Sequence, residues 1–160
     1  MNRSANQGFT LLELLIVVLV IAMVLAVSYP SLSRGSASIH LRTTGRDVLN
    51  TFRYAREKAV TEQIGMKVTV DRQHQRLILA NDLGDGSRTY PMPTDVKIHR
   101  IALGGNEIME GPVPVRFLPN GSSDAVEVLL KSDAGSFLRI ISDPITGGAR
   151  IESGSGENFR

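Results

Sequence analysis

The most apolar part of the chain is an unbroken run near its amino terminus. Fourteen consecutive apolar residues extend from Leu14 to Val27, and extending back to Phe9 gives nineteen positions interrupted only by Thr10 and Glu13. Nineteen helical residues span about 28 Å, at about 1.5 Å per residue, which is close to the hydrocarbon thickness of a bilayer. The pattern therefore predicts a helix that crosses a membrane once.

An amphipathic helix pattern follows Pro30. Proline lacks an amide donor and clashes with the preceding turn, so Pro30 should kink the helix or mark its exit from the membrane. From residue 31 to residue 64, apolar side chains recur at helical spacing on one face: Leu41, Val48, Leu49, Phe52, Ala55, Ala59 and Val60, with Gly45 among them. This stripe predicts a core-facing surface, and Gly65 is the predicted end cap. Basic residues lie mostly off the stripe and indicate a solvated face: Arg42, Arg46, Arg53, Arg56 and Lys58.

Beyond Gly65 the spacing changes from helical to alternating, which is typical of strands. Seven strands are predicted, at residues 66–70, 76–80, 96–103, 113–118, 126–130, 137–142 and 149–151. No helical segment separates them, so the crossovers that parallel sheets require are missing and the sheet should be mainly antiparallel. The predicted fold class is α+β: a long amino-terminal helix with a transmembrane first half, and a second half packed on a sheet of about seven strands.

Composition excludes several classes of protein. The 160 residues include 18 Lys+Arg against 16 Asp+Glu, which is not the strongly basic footprint of a dedicated nucleic-acid binder. There is no cysteine, so neither a disulfide framework nor a Cys-based metal site exists. The chain also lacks a G-x-S-x-G, a P-loop and an H-E-x-x-H motif, so we predict no enzymatic activity.

Candidate metal ligands are present but scattered. The three histidines fall in three different predicted elements: His40, His74 and His99. They lack the close spacing of a zinc site. Asn81, Asp82 and Asp85 carry oxygen ligands of the type that calcium prefers, but their spacing is not that of an EF-hand, and Asp with Gly is ordinary turn chemistry. We predict no metal and no cofactor.

Glu13 is the one charged residue in the apolar run. An acidic side chain inside a spanning helix costs about 2.5 kcal/mol or more and is usually functional, so Glu13 needs a partner. The simpler alternative is that Glu13 lies near the headgroups and snorkels or stays protonated. A small residue, Gly8, precedes the run, and a cut between Gly8 and Phe9 would leave the apolar segment on the mature chain. The new amino terminus would then lie one helical turn from Glu13.

These residues resemble a known motif. Residues 8–15, Gly-Phe-Thr-Leu-Leu-Glu-Leu-Leu, are similar to the class III signal motif of type IV pilins and type II secretion pseudopilins. The resemblance implies that a prepilin peptidase cuts after Gly8 and methylates the Phe9 amine. It also implies that Glu13 serves filament assembly, with its carboxylate neutralised by the Phe9 amine of a neighbouring subunit. The physical argument agrees, because a buried carboxylate and a buried ammonium are costly alone and tolerable together.

Segments in the carboxy-terminal part of the chain indicate a subfamily within this resemblance. Residues 117–123 (FLPNGSS), 139–142 (RIIS) and 146–151 (TGGARI) are similar to the minor pseudopilin H family and the related FimT-type minor pilins. The resemblance implies a pilin-like fold and a role as a minor pseudopilin, a structural subunit of the periplasmic pseudopilus of a type II secretion system that supports protein export across the outer membrane.

The alternative role is that of a FimT-like minor pilin of a type IV pilus, in DNA uptake or pilus assembly. DNA contact needs clustered cations, because phosphate neutralisation supplies most non-specific affinity. In the last residues, Arg150 and Arg160 are offset by Glu152 and Glu157. DNA is therefore a possible partner that the sequence does not favour.

These interpretations divide the chain into five parts. They are a leader peptide (1–8), a transmembrane and assembly helix (9–29), an amphipathic helix (30–65), a β-rich periplasmic domain (66–152) and a flexible tail (153–160). Arg3 favours a cytoplasmic amino terminus, which predicts a single-pass inner-membrane protein with its carboxy-terminal domain in the periplasm. The expected partners are other pseudopilins or pilins, prepilin peptidase, the inner-membrane assembly platform and, before assembly, membrane lipid.

Overall fold

The computed structural model describes the backbone of residues 9–153 and the side chains of residues 9–25 and 37–152. The predicted leader, with Gly8, and the tail after residue 153 lie outside the described residues. The chain forms two compact units, Met1–Ser36 and Ala37–Arg160.

One helix, α1, runs from Leu11 to Glu62 over 52 residues. Pro30 lies within α1, so the two helical patterns in the sequence belong to a single element. Within the described residues, no helix combines the length and the apolar character needed to cross a membrane. The membrane span expected at residues 9–29 stays a prediction.

The predicted end cap of α1 at Gly65 is wrong. The residue in the left-handed conformation is Gln63, with φ 54°, and its side-chain Nε2 donates to the carbonyl of Val60 at 2.6 Å. Gly65 serves another contact: its carbonyl accepts from the amide of Asp82 at 2.9 Å. A Cβ on Gly65 would lie 1.9 Å from Asp82 Oδ2, so a side chain there would require the Asp82 side chain to move.

Nine strands follow α1 in the described part of the chain. They are β1 (Met66–Asp71), β2 (Arg76–Asn81), β3 (Arg88–Pro91), β4 (Val96–Leu103), β5 (Asn106–Glu107), β6 (Val113–Phe117), β7 (Val126–Ser132), β8 (Phe137–Ser142) and β9 (Ala149–Ser153). They form a four-stranded sheet in the order β3-β2-β1-β6 and a five-stranded sheet in the order β5-β4-β7-β8-β9. Every pairing is antiparallel, which confirms the predicted sheet type. The single seven-stranded sheet is corrected to two sheets.

The two strands that the sequence pattern missed are edge strands. All four residues of β3 are exposed and its last residue is Pro91, so β3 shows no alternation of buried and exposed positions. Proline tolerates such an edge because no ladder hydrogen bond is needed there. β5 has only two residues, Asn106 and Glu107, both exposed. Neither strand carries the apolar alternation from which strands are predicted.

The core lies between the second half of α1 and the two sheets, as predicted. Its helical members come from the predicted stripe: Leu41, Val48, Leu49, Phe52, Ala55 and Ala59. The ring centroids of Phe52 and Phe117 (β6) lie 5.7 Å apart, in the range of favourable aromatic pairs. A Cβ on Gly45 would lie 2.6 Å from Leu138 Cδ2, so glycine lets α1 approach β8 closely. Val60 departs from the prediction, because 39% of it is exposed.

Asp71, at the end of β1, is a charged side chain that remains only 5% exposed. Its Oδ1 accepts from the amide of His74 at 3.0 Å, and its Oδ2 lies 2.9 Å from His74 Nδ1 and 3.1 Å from Arg76 Nε. Burial alone would raise the pKa of Asp71, but these hydrogen bonds from His74 and Arg76 outweigh it, and the pKa lies below its ordinary value.

We expect Asp71→Asn to lower the free energy of unfolding by about 1–3 kcal/mol at neutral pH, because His74 and Arg76 lose a buried, charged acceptor. The folded-state pKa is depressed, so the contribution of the carboxylate is complete above its unfolded pKa of about 4 and disappears as pH falls through the folded value. Urea unfolding of residues 37–160, followed by circular dichroism at pH 7 and pH 3, measures this. Asp85→Asn, at an exposed position, should change stability by less than about 0.5 kcal/mol. An Asp71→Asn penalty of equal size at both pH values would contradict the role of the charge.

Candidate functional site

The predicted processing and assembly residues lie at the start of α1. Gly8 is outside the described residues. Phe9 precedes the helix and is 85% exposed, and Glu13 lies in the first turn and is also exposed. No observation tests the roles assigned to Phe9 and Glu13, which stay predictions.

Thr10 caps the helix, a contact that the sequence analysis missed. Its Oγ1 accepts from the amide of Glu13 at 3.2 Å, and its carbonyl accepts from the amide of Leu14 at 3.2 Å. Thr-x-x-Glu is the spacing of a capping box, so the signal was visible in the sequence. A carboxylate in the first turn is also favoured by the positive end of the helix dipole. The Thr10 cap and the helix dipole therefore both favour Glu13 at this position within its own chain.

The apolar side chains around Glu13 are all exposed. Fourteen large apolar residues between positions 9 and 25 remain at least half exposed: Phe9, Leu11, Leu12, Leu14, Leu15, Ile16, Val17, Val18, Leu19, Val20, Ile21, Met23, Val24 and Leu25. An apolar surface of this extent marks a site of contact with lipid or protein. The amino-terminal segment is thus an interaction surface that carries a single carboxylate.

The histidines occupy three separate places, as predicted. His40 Nδ1 lies 2.6 Å from Asp95 Oδ2, His74 contacts Asp71, and His99 packs edge-on against Phe137 with ring centroids 5.5 Å apart. Within the described ranges, no group of three or more metal-ligating side chains is placed to hold a metal ion.

The loop of Asn81, Asp82 and Asp85 has turn geometry. Asn81 Oδ1 accepts from the amide of Asp85 at 2.7 Å, and the carbonyl of Asn81 accepts from the amide of Gly84 at 3.0 Å. The amide of Asp82 donates a hydrogen bond to the carbonyl of Gly65. The Asn81 side chain thus closes the turn, in agreement with the interpretation of these residues as turn chemistry.

Arg56 differs from the other cations of the helix face. Arg42, Arg46 and Arg53 are exposed, but Arg56 is half-buried and its Nε donates to the carbonyl of Gly121 at 3.2 Å. A solvated role is therefore wrong for Arg56, which fastens a distant turn to α1. Sequence reasoning missed it because 65 residues separate the two partners.

Two of the three segments that carry the carboxy-terminal resemblance meet at Arg56. The amide of Ser123 donates to the carbonyl of Pro144 at 3.1 Å, which joins the turn after β6 to the turn before β9. In the second turn, Gly147 has φ 62°, and a Cβ there would lie 2.2 Å from the carbonyl oxygen of Gly121 and 3.0 Å from Arg56 Cδ. Residues 117–123 and 146–151 thus act together as one packed junction on α1.

The outer face of the five-stranded sheet carries a row of alternating charges. Its members are Glu107, Arg100, Glu127, Arg139, Glu152 and Arg150, with ion-pair distances from 2.9 to 3.8 Å. Hydrogen bonds from Arg150, and then from Arg139, lower the pKa of Glu152. Arg150 is therefore engaged on its own sheet, which weakens it as a contact for a DNA phosphate.

The amino-terminal motif and the fold each have counterparts among known proteins. Residues 3–29 match the family described as the prokaryotic N-terminal methylation motif. The chain combines this motif with a long helix and antiparallel sheets.

Two solved structures of one protein have a similar fold. Two structures of the minor pseudopilin EpsH from the type II secretion system of Vibrio cholerae match with a TM-score of 0.59 and 14% sequence identity. Each covers 75% of this chain, and the chain covers 99% and 97% of the two solved chains. Comparison with curated protein sequences gives no match. At this identity the likeness establishes the fold alone.

Proposed function

We propose that the protein is a minor pseudopilin, a structural subunit of the periplasmic filament of a type II secretion system. The observation that carries the proposal is the exposed apolar surface of residues 9–25, with Glu13 in the first turn of α1, in a chain that bears the pilin methylation motif.

An exposed apolar helix must be covered by lipid or by protein, since about 25 cal/mol is gained for each Å² of apolar surface removed from water. In the sequence the run continues to Val27, two residues past the last described side chain of this segment. Before assembly the segment would lie in the inner membrane, and in the filament it would pack on the same segment of neighbouring subunits.

Glu13 would then select the register between subunits. Prepilin peptidase would cut after Gly8, and the methylated Phe9 amine would pair with Glu13 of a neighbour. A misplaced neighbour would leave a carboxylate and an ammonium buried apart, at several kcal/mol each. The domain of residues 37–153 would remain folded on the periplasmic side, where partner subunits and the assembly platform position the filament.

Analysis of the mature amino terminus tests this proposal. Intact-mass and peptide mass spectrometry of membrane-extracted protein should find a chain that begins at N-methylated Phe9. Gly8→Trp should remain full length, because the peptidase requires a small residue before the cut. Ala5→Trp, a bulky residue elsewhere in the leader, should be processed normally. A mature wild-type chain that begins at Met1 would contradict the proposal.

A deletion strain separates the secretion role from the FimT-like alternative. We expect substrates of the secretion system to accumulate in the periplasm and DNA uptake to stay unchanged. Normal secretion combined with lost DNA uptake would favour the type IV pilus role.

A further inference from the structure

One end of the domain gathers the first turns of its helix and three loops. His40, near the start of the domain half of α1, lies 2.6 Å through Nδ1 from Asp95 Oδ2, just before β4. The carbonyl of Asp95 accepts from the amide of Asp133, just after β7, at 3.0 Å. The beginning of β4 and the end of β7 therefore lie where α1 enters the domain, which we call the entry end.

The β1–β2 turn joins the same end. Gln75 Oε1 accepts from the amide of Ile98 at 2.7 Å. The guanidinium of Arg72 donates to the carbonyls of His99 and Met109, so backbone partners hold it in position. Among the described residues, no carboxylate forms an ion pair with Arg72.

Two lysines stand opposite each other at this end. Lys97 of β4 and Lys131 of β7 are directly paired across the antiparallel ladder, where side chains lie about 5 Å apart at Cβ and like charges are destabilising. Among the described residues, neither lysine forms an ion pair, and the Lys131 ammonium lies 5.4 Å from the centre of the Phe137 ring. They border a shallow cavity of about 420 Å³, together with Arg72 and one carboxylate, Asp133.

On the five-stranded sheet, the cations that form no ion pair among the described residues lie at the entry end. Elsewhere on the five-stranded sheet, the row from Glu107 to Arg150 pairs each arginine with a glutamate. Lys97 and Lys131 therefore differ from the arginines of this sheet, because their charges are not balanced by a paired glutamate among the described residues.

We propose that the entry end, through Lys97, Lys131 and Arg72, is a docking surface for anionic phospholipid headgroups. The proposal rests on the proposed membrane anchoring of the amino-terminal segment. Only nine residues lie between Val27 and Ala37 in the sequence, so the chain tethers the start of the domain close to the proposed membrane segment. Lysine ammonium groups near an anionic leaflet are attracted to it within about a Debye length. Docking holds the domain of the unassembled subunit against the membrane. The domain leaves the membrane surface when the subunit enters a filament.

Site-specific fluorescence on the full chain tests this inference. Because the chain has no cysteine, a single introduced cysteine labels one place. Gln73→Cys lies in the exposed β1–β2 turn of the entry end, and Asn120→Cys lies in an exposed turn near Arg56, away from the entry end. Each labelled protein is reconstituted in phosphatidylcholine vesicles with or without phosphatidylglycerol, and headgroup-attached quenchers report proximity. Flotation of the vesicles reports anchoring independently.

The label at Gln73→Cys should be quenched strongly in phosphatidylglycerol vesicles and weakly in phosphatidylcholine alone, whereas the label at Asn120→Cys should not respond. Lys97→Gln with Lys131→Gln should lower the ratio of docked to undocked domain about thirtyfold, which corresponds to about 1 kcal/mol for each lysine. The matched control, Lys58→Gln with Lys67→Gln, removes two cations outside the entry end and should preserve quenching.

Several outcomes would overturn docking. Protein that floats with vesicles but shows equal quenching in both lipids would refute the inference and leave anchoring intact. Protein that does not float would refute the anchoring itself. Lipid-independent quenching, together with a DNA gel shift lost in the double lysine variant, would assign the surface to nucleic acid instead.

Discussion

Glu13→Ala is expected to be cut after Gly8 like the wild type but to reach filaments at less than about one-hundredth of the wild-type level. Removing one partner of a buried ion pair costs about 3–5 kcal/mol, because the other charge stays buried without compensation. Here the uncompensated group would be the Phe9 amine of a neighbouring subunit. Quantification of the mutant in sheared filament fractions, relative to the membrane fraction, measures the loss.

The Thr10 cap supplies the matched control for this prediction. If Glu13 acted only through the first turn of α1, losing it would cost no more than losing the cap, about 1 kcal/mol. Thr10→Ala removes the hydrogen bond from the Glu13 amide and keeps the carboxylate, so it should enter filaments at near wild-type levels. Equal defects in Thr10→Ala and Glu13→Ala would show that Glu13 serves the helix rather than the contact between subunits.

Gly147→Ala should produce the largest loss of domain stability, about 3 kcal/mol. A left-handed conformation costs a residue with a side chain about 1–2 kcal/mol, and the φ of Gly147 is 62°. Its Cβ would also lie 2.2 Å from the backbone oxygen of Gly121, which cannot move without breaking the hydrogen bond from Arg56. The two turns must then separate from each other or from α1.

Gly135→Ala separates the cost of the left-handed backbone from the cost of the steric clash. Gly135 has φ 82°, but no atom lies within 4 Å of the position that its Cβ would take. Its substitution should cost only the backbone term, about 1–2 kcal/mol. Urea unfolding of residues 37–160 carrying each change, monitored by circular dichroism, gives the difference. If the two alanine substitutions lower the free energy of unfolding equally, the clash at the junction of Arg56 contributes nothing to the loss.

Most of the fold could be predicted because its signals are local and repeated. The helical stripe from Leu41 to Ala59 repeats at helical spacing, and the buried strands alternate, so each pattern is visible within a short window. β3 and β5 were missed because their existence depends on pairing with β2 and β4 rather than on their own residues. The helix end was misplaced because Gln63, not a glycine, takes the left-handed conformation.

The candidate site also contains residues that could be predicted from the sequence and residues that could not. Gly8, Phe9 and Glu13 could be proposed from one continuous motif, and the Thr10 cap was visible in that motif but was overlooked. The junction of Arg56, Gly121 and Gly147 could not be predicted, because its partners are brought together only by the complete fold. The entry-end lysines likewise become neighbours only through the register of β4 with β7.

The placement of the core has a consequence for the life cycle of the subunit. Among the residues whose side chains are described, every member of the main hydrophobic core lies between Leu41 and Ala149. If the protein is the filament subunit proposed above, a domain with this core could stay folded when the subunit enters or leaves a filament. Only the apolar amino-terminal segment would then change its surroundings.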